Sequence, residues 1–234
     1  MSPILQLEDL CVRYSDGIEA LRGVSLAIEA GERVALLGPN GAGKTSLLLA
    51  VMNAVPWTGR IVVDGIELSR RTAEEVRGRC GVTFQSADDQ LFMPTLLDDT
   101  AFGPLNQGLP PSEAEAAARS AIGAVGLAGL ENRPPHHLSA GQKRAATIAT
   151  ILSMKVQILL LDEPAANLDF RSRSTLIGLL KGRPEAMLVA THDLNLVGQL
   201  CPRAVVLNDG LLAAQGPAEE LLGDSAKLSS LGIG

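Results

Sequence analysis

Gly38-Pro39-Asn40-Gly41-Ala42-Gly43-Lys44-Thr45 reads G-x-x-x-x-G-K-[ST], and its neighbours give that pattern meaning. Arg33-Val34-Ala35-Leu36-Leu37 before it is a short apolar strand. Ser46-Leu47-Leu48-Leu49-Ala50-Val51-Met52 after it is patterned as a helix. The glycines let the backbone curl so that its N–H groups face inward as an anion nest. The helix that follows points its positive end at the same place. A phosphate-binding loop is the reading. Lys44 reaches the β- and γ-phosphates of a nucleotide, and the Thr45 hydroxyl offers an oxygen to Mg²⁺.

The rest of the chain bounds what such a loop serves. Its 234 residues suit one compact domain with an inserted lobe. Hydrophobic residues make up 46% and aromatics only 3%, so aliphatic side chains must fill the core. A net charge of −6 argues against a nucleic-acid partner, whose footprint is normally basic. Cys11, Cys80 and Cys201 lie far apart and in no C-x-x-C pattern, which fits a reduced, cytosolic setting with buried thiols. Met1-Ser2-Pro3-Ile4 lacks the basic and apolar regions of a signal peptide. No apolar run approaches the ~18–20 residues that span a bilayer, so any membrane role is expected to come through a partner.

Residues 3–14 and 24–30 alternate apolar and polar, as antiparallel strands do. Asp64-Gly65, between short β runs, marks a hairpin. Residues 70–78 read as a short helix and 81–85 as a strand. Residues 86–110, with Pro94, Pro104 and Pro110, read as loop. Ser112-Glu113-Ala114-Glu115 reads as a capping box that starts a helix to about Val125. Val156 to Leu161 and Met187 to Ala190 are uninterrupted apolar strands, of the kind buried in a parallel sheet. Residues 168–180 read as a helix, and 204–212 as a hairpin.

Further polar residues can gather around one phosphate. Asp162 and Glu163 end an apolar strand, where a carboxylate sits beside the crevice of an α/β sheet. Asp162 is placed to hold Mg²⁺, and Glu163 to polarise an attacking water. Leu138-Ser139-Ala140-Gly141-Gln142 is a helix N-terminus that can bind an anion, although a plain cap reads the same locally. Gln85 follows a strand and can ligate Mg²⁺. His192 follows Ala190-Thr191 and can contact a γ-phosphate, although a lone histidine is more often structural.

The order of these elements, with Asn167-Leu168-Asp169 between Glu163 and His192, resembles the ATP-binding-cassette ATPases over nearly the whole chain. The resemblance implies an α/β fold: a P-loop NTPase core of mainly parallel sheet flanked by helices, an N-terminal antiparallel β subdomain and an inserted helical subdomain. Residues 1–234 form one such domain, with 1–85 and 156–234 as core and 86–155 as the inserted lobe carrying the signature. By the same resemblance Tyr14 stacks on adenine. Gly38, Pro39, Asn40, Gly41, Ala42, Gly43, Lys44, Thr45 and Ser46 bind ATP as the Walker A segment. Ser139, Gly141 and Gln142 form the signature. Thr45, Gln85 and Asp162 hold Mg²⁺. Glu163, His192 and Lys44 are the catalytic set, and Asp169 is the D-loop aspartate. Ala140 stands where the signature usually has glycine, and Ala165 and Ala166 precede Asn167 where a hydroxyl residue is usual. Both departures are expected to slow turnover without removing a charged catalytic group.

A narrower likeness lies in Asp88-Asp89-Gln90-Leu91-Phe92, Pro94-Thr95, Ala101-Phe102-Gly103-Pro104-Leu105-Asn106 and Arg133-Pro134-Pro135-His136-His137-Leu138. These runs resemble the ATPases of energy-coupling-factor importers, most of all those for cobalt and nickel, and other vitamin importers share much of the pattern. The resemblance implies a second ATPase subunit, identical or related, a transmembrane coupling subunit contacted through residues 86–106, and a substrate-binding membrane component. It also implies a peripheral position on the cytoplasmic face of the cell membrane. Leu91, Phe92 and Met93 either dock that membrane partner or pack inside the lobe. A metal site at His136-His137 is not expected, since adjacent side chains diverge and no carboxylate or cysteine is close in sequence. A soluble cassette acting on nucleic acid is disfavoured by the absence of a basic run or heptads.

Overall fold

A computed structural model describes residues 3–233, which fall into two compact units. One, the sheet unit, takes in residues 3–80, 157–162 and 184–233. The other, the helical unit, takes in 81–156 and 163–183.

The sheet unit opens with β1 (Leu5–Arg13) paired antiparallel to β2 (Glu19–Ile28). Leu5, Leu7, Leu10 and Val12 of β1 are buried while the other residues of the strand are not, so one face of the ribbon is core. After β3 (Arg33–Leu37) and helix α1 (Lys44–Val51), strand β4 (Trp57–Val63) returns to pair with β1. Asp64 and Gly65, at φ 50° and 76°, then turn the chain into β5 (Ile66–Glu67), the two-residue hairpin that Asp-Gly favours. The sheet order is β2-β1-β4-β5.

Helix α2 (Ala73–Arg79) leads into β6 (Cys80–Thr83), and the second sheet is built from β6, β7 (Ile158–Asp162), β8 (Ala186–Ala190), β9 (Arg203–Asn208) and β10 (Leu211–Pro217), with β3 inside it. Its strand order is β10-β9-β3-β8-β7, ending on β6, the strand on which the chain leaves this unit. β3 is parallel to β8 and β9, and β7 is parallel to β8; the β9–β10 hairpin is antiparallel. Val34–Leu37, Ile158–Leu161 and Ala186–Ala190 are wholly buried, which is why they read as unbroken aliphatic runs. The register places Leu36 opposite Ala190, and Ala190 opposite Asp162. Three strands therefore end at one level, and Gly38, Asp162 and Thr191-His192 emerge together on the carboxyl side of the sheet.

The helical unit comprises α3 (Leu96–Asn106), α4 (Pro111–Ala124), α5 (Ala140–Leu152) and α6 (Phe170–Lys181), with a 3₁₀ turn at Pro135–His137. α3, α4 and α5 pack on one another through small side chains such as Ala114, Ala118, Ala146 and Ala149, all fully buried. Here the structure corrects the sequence reading twice. Residues 96–106 are helix, not loop. Thr95 caps α3 by accepting the Asp98 N–H at 3.1 Å. Pro104 lies inside the helix, and its missing N–H would leave the Thr100 carbonyl without a partner. The Ser153 hydroxyl fills that gap, donating to Thr100 O at 2.7 Å. The second correction is the start of α4. Ser112 makes no capping box; Pro110 is the cap residue and Pro111 opens the helix, where its fixed φ suits the first turn.

Asp99 on α3 is only 4% exposed. Its Oδ1 accepts the N–H groups of Phe92 and Met93, each at 3.0 Å, so it pins the segment leading into α3. Burial pushes its carboxyl above the usual carboxylate range. Among the cysteines, burial pushes the Cys80 and Cys201 thiols up to about 12, but Cys11 is only half-buried, contrary to the expectation of three buried thiols. Among the described residues no helix is long and apolar enough to cross a membrane.

Candidate functional site

In the sheet unit the site begins where β3 ends. Gly38 has φ 147° and Gly43, the cap residue of α1, has φ 103°. A Cβ at Gly38 would run into the Leu207 carbonyl oxygen, and one at Gly43 into the Ala20 carbonyl oxygen. Both positions thus require glycine on conformation and on space. Lys44 is 8% exposed, and its ammonium donates to Gly38 O at 2.6 Å and Pro39 O at 3.0 Å. The side chain folds back over the loop that precedes it. Thr45 Oγ1 donates to Asp162 Oδ2 at 2.7 Å, joining residues 117 apart in sequence. Tyr14 Oη and Ser46 Oγ share a hydrogen bond of 3.0 Å, which fixes the ring beside the start of α1. On the neighbouring strand end, Thr191 is fully buried and its Oγ1 accepts the Asp193 N–H at 3.1 Å. Asp193 in turn caps α7 (Leu194–Leu200) through the Leu196 N–H. His192 is held between these two local bonds.

The helical unit carries a second set. Ser139 and Gln142 form a complete capping box at α5: Ser139 Oγ accepts the Gln142 N–H at 3.3 Å, and Gln142 Oε1 accepts the Ser139 N–H at 3.0 Å. A cleft of about 640 Å³ runs beside this helix end, lined by Ser139, Gly141, Gln142, Leu168, Asp169 and Ser172. Asp169 caps α6 by accepting the Ser172 N–H at 2.7 Å, and that bond holds its carboxyl below the usual range. A smaller cavity of about 320 Å³ is lined by Gln85, Ala140, Lys143, Arg144, Ala166 and Asn167. Glu163 is 8% exposed and sits at φ 47°, and Asn167 at φ 61°. Asparagine tolerates that region well; a glutamate there is rare and strained. The turn that holds it closes with the Ala166 N–H on Glu163 O at 3.1 Å.

Gly141 differs from the loop glycines. Its φ is ordinary, and a Cβ would lie 3.8 Å from Leu168 and Ser172, in plain contact distance. Packing inside its own unit does not demand glycine there.

The model of the ABC transporter family matches residues 21–166, from before the phosphate loop to just beyond Glu163. The chain belongs to the ABC transporter family. It is the ATP-binding, ATP-hydrolysing type of subunit found in that family. It is 41% identical to a cobalt import ATP-binding protein, CbiO, of Rhodobacter capsulatus, with 100% of this chain and 85% of the relative covered. Among solved structures it is similar to cbiO1 from Clostridium perfringens, part of the ABC transporter complex cbiONQ. That likeness has a TM-score of 0.84 and 33% identity over 100% of this chain and 96% of the other. It is also similar to the ATP-binding cassette MJ0796, a dimer in a post-hydrolysis state bound to ADP and phosphate. There the TM-score is 0.83 and the identity 26%, over 92% and 98% of the two chains.

Two polar residues of this ABC ATPase escape a reading of the sequence alone. Thr191 looks like an ordinary strand end, and only its turn with Asp193 reveals that it orients the His192 backbone. Arg144 carried a faint signal. It shares a helix face with Ile148 and Ile151, both buried, so a charge stands where an aliphatic residue is expected.

Proposed function

We propose that this ABC ATPase energises a membrane importer of the energy-coupling-factor type for cobalt or nickel ions. What supports the cargo most is its likeness, over the whole chain, to a cobalt import ATP-binding protein, together with the sequence runs around Gln90 and Phe102.

In this reading ATP binds with its phosphates in the loop of residues 38–46 and its adenine on Tyr14. Thr45 and Asp162 bring two hard oxygen donors within 2.7 Å of each other, a set that suits Mg²⁺. The resemblance to the family adds Gln85 as a further donor to that ion. When bound, the ion neutralises charge on the β- and γ-phosphates. Lys44 adds a buried positive charge to the same phosphates. Glu163 accepts the proton of the attacking water, and its strained turn fixes where the carboxylate points. His192 contacts the γ-phosphate from its braced turn.

The second half of the site comes from a second ATPase subunit, identical or related. Its Ser139, Gly141 and Gln142 present the N-terminus of α5 to the γ-phosphate. Gly141 lacks a side chain, although its own unit has space for one, because a phosphate approaches that backbone. Ala140 is exposed at the same helix end, and its methyl group slows rather than blocks this approach.

The membrane partner docks on the helical unit. Leu91 is 8% exposed and packs inward, whereas Phe92 is 65% exposed. Phe92 meets Phe102 edge to face, with ring centroids 5.2 Å apart, and Leu105 extends the patch. An apolar helix of a transmembrane coupling subunit is the natural occupant, which keeps this chain peripheral on the cytoplasmic face.

The test uses the chain purified with its membrane components. Phe92→Asp should leave the ATPase rate of the isolated subunit within about twofold. It should abolish co-purification and lower ATP-driven uptake of radioactive cobalt or nickel at least about tenfold. Normal co-purification would place the docking surface elsewhere. An intact wild-type complex that takes up neither ion, but another solute, would remove the cargo assignment.

A further inference from the structure

Arg144 is 4% exposed, and its guanidinium reaches the backbone of the loop that follows β6. Nη1 donates to Phe84 O and Nη2 to Gln85 O, both at 2.8 Å. The planar fork of arginine spans two successive carbonyls in a way the single ammonium of lysine does not. Two further ties lie alongside. Lys143 pairs with Asp88. Gln90 donates through Nε2 to Thr147 O at 3.1 Å and Thr150 Oγ1 at 2.7 Å, while its Oε1 accepts the Phe84 N–H at 3.2 Å. Positions 143, 147 and 150 follow a helical stripe, so the segment 84–90 is strapped along one side of α5. The strap continues to the exposed aromatic patch. Asp99 holds the backbone of Phe92 and Met93, and Ser153 at the end of α5 holds α3 through Thr100.

We infer that Arg144 is a positioning residue that makes Gln85 and the Ser139 end of α5 move as one body. Gln85 faces the metal of this chain's own nucleotide, and Ser139 faces the nucleotide of the second subunit; this rests on the function proposed above. Arg144 touches neither nucleotide. It converts a displacement at one into a displacement at the other, because it holds the successive carbonyls of Phe84 and Gln85 at once. Without its fork, two carbonyls of an irregular segment lose their donors, and Gln85 is released from the helix that reads the other site.

The experiment is a double-mutant cycle on ATP turnover in the purified chain, with Arg144→Met and Gln85→Ala. Arg144→Met should lower kcat at least about tenfold while the KM for ATP changes less than about threefold, and Gln85→Ala should lower kcat similarly. The double variant should be no worse than Gln85→Ala alone, within about twofold, because both act through one group. Arg144→Lys, which keeps charge and one donor, should fall between; if the Met variant does not fold, the same cycle is run with Lys. Losses that multiply in the double variant, or a Met variant with wild-type kcat, would overturn the inference. Gln85→Ala with wild-type kcat would overturn the role given to Gln85, and this inference with it. A wild-type chain with no ATP turnover would sink both, so the two failures are told apart by whether wild type and Gln85→Ala behave as stated.

Discussion

Glu163→Gln is expected to bind ATP about as tightly as the wild type and to hydrolyse it about 10²–10⁴-fold more slowly, the usual worth of a positioned general base. The substitution is nearly isosteric, and the backbone that strains Glu163 to φ 47° is closed by a main-chain bond, Ala166 N–H to Glu163 O. The turn therefore survives, and so does the buried setting of the side chain. What disappears is the ability to take a proton from water. The ratio corresponds to about 3–5 kcal/mol of transition-state stabilisation, all of it in the chemical step. Phosphate release and nucleotide affinity, measured on the same preparation, check this. Turnover close to the wild-type rate would take Glu163 out of its role.

Lys44→Ala removes a charge instead of a base, and its effect should fall on binding. Affinity for ATP is expected to drop by about a hundredfold or more, since truncating one partner of a buried charged contact costs about 2–5 kcal/mol. A second loss adds to this. The ammonium also holds Gly38 O and Pro39 O, so the empty loop loses the side chain that shapes it. The fold should persist, because the backbone at Gly38 and Gly43 packs against the Leu207 and Ala20 carbonyls, contacts that do not involve the Lys44 side chain. Calorimetric titration with ATP, beside a thermal melt, separates the two contributions. Unchanged affinity would contradict the phosphate assignment.

Much of the sheet unit could be read in advance because its physics is local. Buried parallel strands must be aliphatic on both faces, and β3, β7 and β8 are. The Asp-Gly turn needs positive φ twice, and the residues announce it. The sequence pointed to Thr45 and Asp162 separately, as oxygen donors to one ion, and the structure adds the hydrogen bond between them. The helical unit was harder, because distant partners decide it. Pro104 argues for loop until Ser153, far along the chain, supplies the hydrogen bond that proline cannot make. Leu91 and Phe92 are equivalent as residue types, yet the fold buries one and exposes the other. Arg144 binds two backbone carbonyls, which leave no trace in the residue types at 84 and 85.

Central to this account is an active site divided between two subunits, with the phosphate loop on one and the end of α5 on the other. Specific ATPase activity measured over a wide dilution series, alongside the oligomeric state, tests that claim most directly. The account predicts that activity per chain falls towards zero as the subunits separate, with the rate following the square of concentration at the dilute end. Constant activity per chain in strictly monomeric protein would contradict it.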